Sequence, residues 1–361
     1  MTVPLVPPDE LAGRLFSSML GGFDLFAVYI GDQLGFYRSL AADGPATSTQ
    51  LAERTGANER YVREWLEQQA VTGFLTVDDY AQPATERVFS LPREYEAVFV
   101  DPDSFIGMAQ GAQIFVGAVA PLPRLLEAFR SGDGVPYDAY GRDLAAGQAR
   151  FNRPMLLHQL AQEYIPAMPD IDARLKADPP AKVADIGMGM AWSSIGLARG
   201  YPKITVDGYD LDAYSVEQAN ANIAAEGLSG RVVCHCRDAG DSELAGQYDF
   251  ALAVECVHDM ANPVAVLSAM RRLVGPGGTA LIIDERADES FLPHGADQER
   301  MLYGFSILHC LPVGMGNPDS AQTGAVMRPG LFRRYAAEAG FTSVEILPVE
   351  SDAFYFYRLT A

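Results

Sequence analysis

The stretch Val183-Ala-Asp-Ile-Gly-Met-Gly-Met-Ala-Trp-Ser-Ser194 constrains this chain more than any other. A hydrophobic strand runs directly into a glycine-rich turn and then into the start of a helix. Asp185 ends the strand. Gly187 and Gly189 remove side chains where the backbone bends and where an adenosine-bearing ligand could approach its amides. Ser193 and Ser194 suit the first helical turn. A strand and a helix later, Ile204 to Tyr209 closes on Asp210-Leu-Asp212, and an acid at that strand end is placed to accept hydrogen bonds from ribose hydroxyls.

Glycine spacing separates the two cofactor classes that share this layout. The dinucleotide fingerprint needs a tiny residue three places after the second Gly, so that a pyrophosphate can sit on the helix N-terminus. Trp192 occupies that place, which disfavours NAD or FAD and an NAD oxidoreductase. The Asp-x-Gly-x-Gly-x-Ala pattern instead resembles motif I of class I S-adenosylmethionine-dependent methyltransferases, with Ala191 where the last Gly is usual.

Length supports two domains, each able to bury a core. A formal charge of −20 and only three lysines, Lys176, Lys182 and Lys203, argue against a nucleic-acid partner, because phosphate binding needs clustered cations. No uninterrupted apolar run reaches the roughly 18 residues of a membrane span, and Met1 to Asp9 shows no secretory signal. The expectation is therefore a cytoplasmic protein with no membrane partner. Four cysteines, Cys234, Cys236, Cys256 and Cys310, make no disulfide framework or zinc motif and read as buried structural thiols. No histidine and carboxylate spacing calls for a metal.

From Asp9 to Leu40 the pattern is helical, with Phe16, Met19, Phe23, Phe26, Tyr29 and Phe36 at spacings near three and four. That broad apolar face suits core packing, a subunit contact or a substrate wall. Thr47 to Val77 reads as a helix-turn-helix, with Gly73–Val77 and Val88–Leu91 as the hairpin of a wing. Its second helix holds Glu59, Glu64 and Glu67 against Arg60 and Arg63, so a structural role is expected rather than DNA reading. Helices continue over 103–168, and Pro166–Pro169 and Asp178–Pro180 mark a boundary. The expected domains are 1–175, helical with a winged helix, and 176–361. In the second, strands are expected near 182–186, 204–210, 231–236, 248–255 and 279–285, alternating with helices, then a closing hairpin of 343–350 and 353–359. This is an α/β, Rossmann-like, mostly parallel sheet with an antiparallel end.

With motif I, the Asp210 acid, the winged helix and the hairpin in hand, the whole chain resembles bacterial small-molecule methyltransferases that carry an N-terminal winged-helix dimerisation domain. The resemblance implies S-adenosyl-L-methionine as cofactor, a small-molecule substrate and a homodimer formed through the N-terminal half. It implies that the turn holding Asp185, Gly187, Met188 and Gly189 takes the methionine part, that Asp210 and Leu211 take the ribose side, and that Asp238 and Ala239 flank adenine. Arg153, in Phe151-Asn-Arg-Pro154, either reaches the cofactor carboxylate or lies on the surface.

The acceptor must be held in line with the methyl carbon, and a phenol or alcohol also needs a base for its proton. His258 heads the candidates, in Glu255-Cys-Val-His258-Asp259 after the fourth strand of the sheet. There Glu255 could face cofactor or acceptor, and Asp259 could cap the next helix; His258 could instead merely cap or pack a loop. His309 is second, in the long link from Glu285 to Pro329, within the helical pattern Asp297–Cys310 that should build a lid or wall. The first reading is methyl transfer to a small aromatic or apolar acceptor, with O-methylation favoured. The alternatives are an S-adenosylmethionine-binding winged-helix transcriptional regulator and a non-methylating enzyme on the same fold.

Overall fold

The computed structural model describes residues 5–241 and 248–361. The chain divides into two compact units, Met1–Gly117 and Ala118–Ala361. Sequence placed the change of domain later, at 175/176. The difference has a physical cause: Leu156, Leu160, Ile165, Ile171 and Leu175 are buried in one cluster with Val183, Ile195 and Val206 of the sheet region. The helices before the sheet therefore complete its core.

The first unit begins with a helix over Pro8–Gln33. Two shorter helices then follow the expected helix-turn-helix. Ser48–Thr55 starts on a capping box in which Thr47 and Gln50 exchange side-chain and backbone hydrogen bonds, satisfying donors the helix end cannot. Glu59–Thr72 starts on Asn58, whose side chain accepts from Arg60 N. The wing is β1 (Thr76–Val77) paired antiparallel with β2 (Phe89–Ser90). Trp65 anchors this unit: its ring meets Phe36 and Tyr37 edge-on, and its Nε1 donates to Ala27 O at 2.8 Å.

The Pro8–Gln33 helix carries an exposed apolar face. Phe16, Met19, Phe23 and Phe26 remain exposed, whereas Phe36 is buried, so most of the aromatic face is not core. This helix is also long and apolar enough to cross a membrane by length and composition alone, although Arg14 and Asp24 break its apolar run.

The second unit contains β3 (Lys182–Ile186), β4 (Thr205–Asp210), β5 (Val232–Cys236), β6 (Phe250–Val254), β7 (Thr279–Glu285), β8 (Ser343–Ile346) and β9 (Phe354–Thr360). Their order is β5-β4-β3-β6-β7-β9-β8, and β9 runs antiparallel to both β7 and β8. The order reverses between β3 and β4 on one side and β6 on the other, and such a switch point opens a crevice at the carboxyl ends of the strands. Successive residues of β3 bury on opposite faces, Val183 in one cluster and Ala184 in the other. The helix Trp192–Gly200 lies close on the helix Gly141–His158: a Cβ on Gly196 would stand 2.0 Å from Leu156 O.

Candidate active site

The glycine turn is fixed from two directions. Behind it, Asp185 is 1% exposed, and its Oδ2 accepts the hydroxyls of Ser193 at 2.5 Å and Ser194 at 2.6 Å. Burial lifts its pKa to about 6 against those hydrogen bonds. The expected ligand contact therefore gives way to a positioning role, because this carboxylate ties the end of β3 to the first turn of the next helix. In front, Gly187 N and Met188 N both donate to Tyr209 O, at 2.8 and 3.2 Å. Met188 is also redirected: a Cβ on Gly208 would fall 2.2 Å from its sulfur, so the side chain packs over β4 and only the backbone belongs to the turn.

The two glycines have different reasons to be glycine. Both have positive φ, 66° at Gly187 and 52° at Gly189. A methyl on Gly187 would lie 2.7 Å from Cys256 Sγ, whereas a methyl on Gly189 meets nothing within 4 Å. Gly187→Ala is thus expected to destabilise the protein by about 3 kcal/mol through overpacking and backbone strain, with Cys256→Ala recovering part of the loss in thermal unfolding. Gly189→Ala should cost only about 1 kcal/mol of strain. Ala191 already carries that strain at φ 67°, in the place of the last motif glycine.

Asp210 closes the turn. Its Oδ2 accepts from Gly189 N and its Oδ1 from Asp212 N, each at 2.9 Å. Each oxygen keeps a further lone pair for ligand hydroxyls. Burial raises its pKa while the backbone donors oppose the rise. Leu211, beside it, is 69% exposed, an apolar surface at the rim. Asp238 is exposed and turns the loop after β5 by accepting from Gly240 N at 2.7 Å. Ala239 is buried in the core cluster that holds Val266. The Arg153 guanidinium stacks on the Trp192 ring at 4.7 Å, which brings it to the helix start that follows the glycine turn. The open space at Gly189, the pinned acid and the exposed Leu211 fit a nucleoside-bearing cofactor.

At the ends of β6 and β7 lies a chain of buried ionisable groups. His258 Nδ1 bonds Asp284 Oδ1 at 2.5 Å, and Nε2 stands 3.1 Å from Asp259 Oδ1. Burial works against a charged imidazole, yet the two carboxylates hold its pKa well above the ordinary value. Both of its ring nitrogens are thus engaged by acids. Asp259 is spent on this pair: burial pushes its pKa up, but His258 holds it well below the usual carboxylate range. The cap of the following helix, Pro263–Val274, is Asn262 instead.

His309 differs at every point. It sits in a π turn, Ser306–Cys310, that continues the helix Asp297–Phe305, the two together covering the expected Asp297–Cys310 pattern. It is 1% exposed, with Tyr140 edge-on to its ring at 4.9 Å and Tyr137 at 5.8 Å. Its Nδ1 is 3.9 Å from Asp259 Oδ2, and its Nε2 is buried without a hydrogen-bond partner. Burial lowers its pKa below the ordinary value, keeping the ring neutral.

Sequence reasoning missed Tyr137, Tyr140, Asp284 and Glu285. The segment holding the tyrosines is clamped to the long link: Tyr140 OH donates to Leu308 O at 2.9 Å and Val135 N to Pro312 O at 2.9 Å. The acids were discoverable by the strand-end logic that found Asp210. Glu255 follows β6 at φ 50°, and its Oε2 accepts from Asn152 Nδ2 at 3.1 Å. One donor atom each from His258, Asp259 and Cys310 lies within 4.8 Å of the others. That is the compactness of a metal site, which spacing did not suggest. Ion pairing of His258 accounts for the same closeness, and no metal is assigned. Of the cysteines only Cys310 is fully buried, and Cys236 is exposed.

Comparison with known proteins agrees with this geometry. Residues 25–100 match the Rv2258c-like winged HTH domain, and residues 183–278 match the methyltransferase domain. A stretch of 104 residues, 29% of this chain, is 28% identical to polyketide synthase ThaQ of Burkholderia thailandensis, and it spans 5% of that protein's length. Two solved structures share the fold over nearly the full chain. The mitomycin 7-O-methyltransferase MmcR has a TM-score of 0.68 at 20% identity, with 98% of each chain covered. Human N-acetylserotonin methyltransferase, solved with S-adenosylmethionine, has a TM-score of 0.70 at 15% identity, covering 100% of this chain and 99% of its own.

Proposed function

We infer that this chain, a class I S-adenosylmethionine-dependent methyltransferase with an amino-terminal winged helix, places a methyl group on the hydroxyl of a small aromatic or apolar acceptor in the cytoplasm. The observation that carries the acceptor chemistry is a buried imidazole with an unpartnered Nε2, His309, set across Asp259 from a second imidazole, His258. When bound, the cofactor supplies an electrophilic methyl group. The chain supplies the rest. The glycine turn, Asp210, Leu211, Asp238 and Arg153 hold the donor in place. The rings of Tyr137 and Tyr140 give the acceptor an apolar wall and exclude water. His309 Nε2 receives the hydroxyl proton. His258, kept cationic by Asp284, presents fixed positive charge to the developing oxyanion. Incubation with isotopically methyl-labelled cofactor and a panel of phenols tests this: label on oxygen is the expected result, and label on nitrogen or carbon, or none, overturns it.

The exposed face of Pro8–Gln33 supports a homodimer formed through the first unit. Leu15, Phe16 and Phe23 are each more than half exposed, and an apolar cavity of about 540 Å³ opens beside Ile30, Leu34, Tyr61 and Trp65. A continuous apolar surface of this kind marks an interaction site. Phe16→Glu with Phe23→Glu is expected to shift sedimentation from dimer to monomer; a monomeric wild type would remove the assignment. DNA reading is disfavoured because Arg60, Arg63 and Arg87 of the winged helix are engaged by Glu64, Glu59 and Glu67.

A further inference from the structure

The ends of β6 and β7 hold more buried carboxyl groups than proton removal requires. Glu255, Asp259, Asp284 and Glu285 converge there, and His258 pairs with two of them. Two of their oxygens, Glu255 Oε1 and Asp284 Oδ2, are shut away from solvent with no hydrogen-bond donor, and Asp284 as a whole is 0% exposed. Unpartnered carboxylate oxygens at such depth are costly, and a positively charged ligand removes that cost.

The position of Glu255 identifies the ligand. Cys256, its neighbour, packs directly behind Gly187, so Glu255 follows β6 next to the glycine turn proposed to take the methionine part of the cofactor. Asn152 binds its other oxygen from the helix Gly141–His158. Tyr164, His258, Asp259, Asp284 and Glu285 are the further titratable groups around it. We propose that Glu255, backed by Glu285, reads the positive charge on the cofactor's sulfonium and so distinguishes the methyl donor from the spent product. Transfer abolishes that charge, since sulfur keeps the electron pair of the broken sulfur–carbon bond while the acceptor oxygen supplies the pair for the new one. The group that tightens binding before reaction thus ceases to do so afterwards, and product leaves more readily. Burial and repulsion from the neighbouring acids raise the pKa of both glutamates in the ligand-free state, as expected of carboxyls awaiting a cation.

The inference rests on the cofactor assignment above, and titration calorimetry on the full chain separates the two. S-adenosylmethionine, S-adenosylhomocysteine and the amine-bearing analogue sinefungin are compared on wild type, Glu255→Gln and Glu285→Gln. Wild type is expected to favour the two cationic ligands over the neutral one by about tenfold, ~1.4 kcal/mol. Glu255→Gln should bring that ratio close to one, with affinity for S-adenosylhomocysteine held within about threefold, and Glu285→Gln should lower the ratio part of the way. No preference in wild type, or the same preference in both variants, overturns the proposal. Failure of all three ligands to bind wild type would instead remove the cofactor assignment itself. Should Glu255→Gln not fold, the wild-type ratio and Glu285→Gln still decide.

Discussion

Asp210→Ala is expected to lower the affinity for S-adenosylhomocysteine about a hundredfold, ~2.7 kcal/mol, in calorimetric titration. Two losses combine. The first is direct: the ribose hydroxyls lose a charged acceptor, and a hydrogen bond to an ionised group contributes roughly 1.5–3 kcal/mol. The second acts through the protein. Gly189 N and Asp212 N both donate to this carboxylate, so its removal frees the turn that should cradle the methionine part. Asp210→Asn separates the contributions. It keeps an acceptor oxygen for one backbone donor but loses the charge, and an intermediate loss is expected. Equal binding by wild type and Asp210→Ala would refute the ribose assignment. Asp185→Ala is a useful contrast, since that acid is committed to Ser193 and Ser194: its effect should fall on folding stability more than on ligand affinity.

Much of the second unit was legible because its signals are local. Each expected strand of the sheet appears within a few residues of its place, as β3 through β9, since apolar runs punctuated by glycine and acid leave little choice of period. The candidate ribose acid was readable for the same reason: Asp210 ends its strand. The surroundings of the two histidines were not. What distinguishes His258 from His309 is which groups reach them from far along the chain. Asp284 meets His258 from 26 residues away, and Tyr140 closes on the His309 turn from 168 residues away. A domain boundary at 175/176 followed from prolines and turns, but burial of Leu160, Ile165 and Leu175 with the sheet depends on tertiary packing that no linker signal reports.

His309→Ala is expected to slow methyl transfer to a phenolic acceptor by roughly a thousandfold, within the range a positioned base supplies, while leaving affinity for S-adenosylhomocysteine unchanged. Its burial lowers the imidazole pKa below the ordinary value, and the base works in its neutral form. The wild-type rate should therefore stay level across neutral pH and fall only as the medium is acidified below about pH 6.5, the ordinary histidine value. His309→Gln keeps a polar group in the same space but has no basic nitrogen, so it should be as slow as His309→Ala and lose the acidic fall. His258→Ala acts differently. It removes the cation that Asp284 and Asp259 hold, leaving buried carboxylates unpaired, so loss of turnover there should come with a lower melting temperature, whereas His309→Gln should melt near wild type. A His309→Gln enzyme that turns over at the wild-type rate would move the proton's destination elsewhere in the cluster, with a rearranged His258 next to be tested.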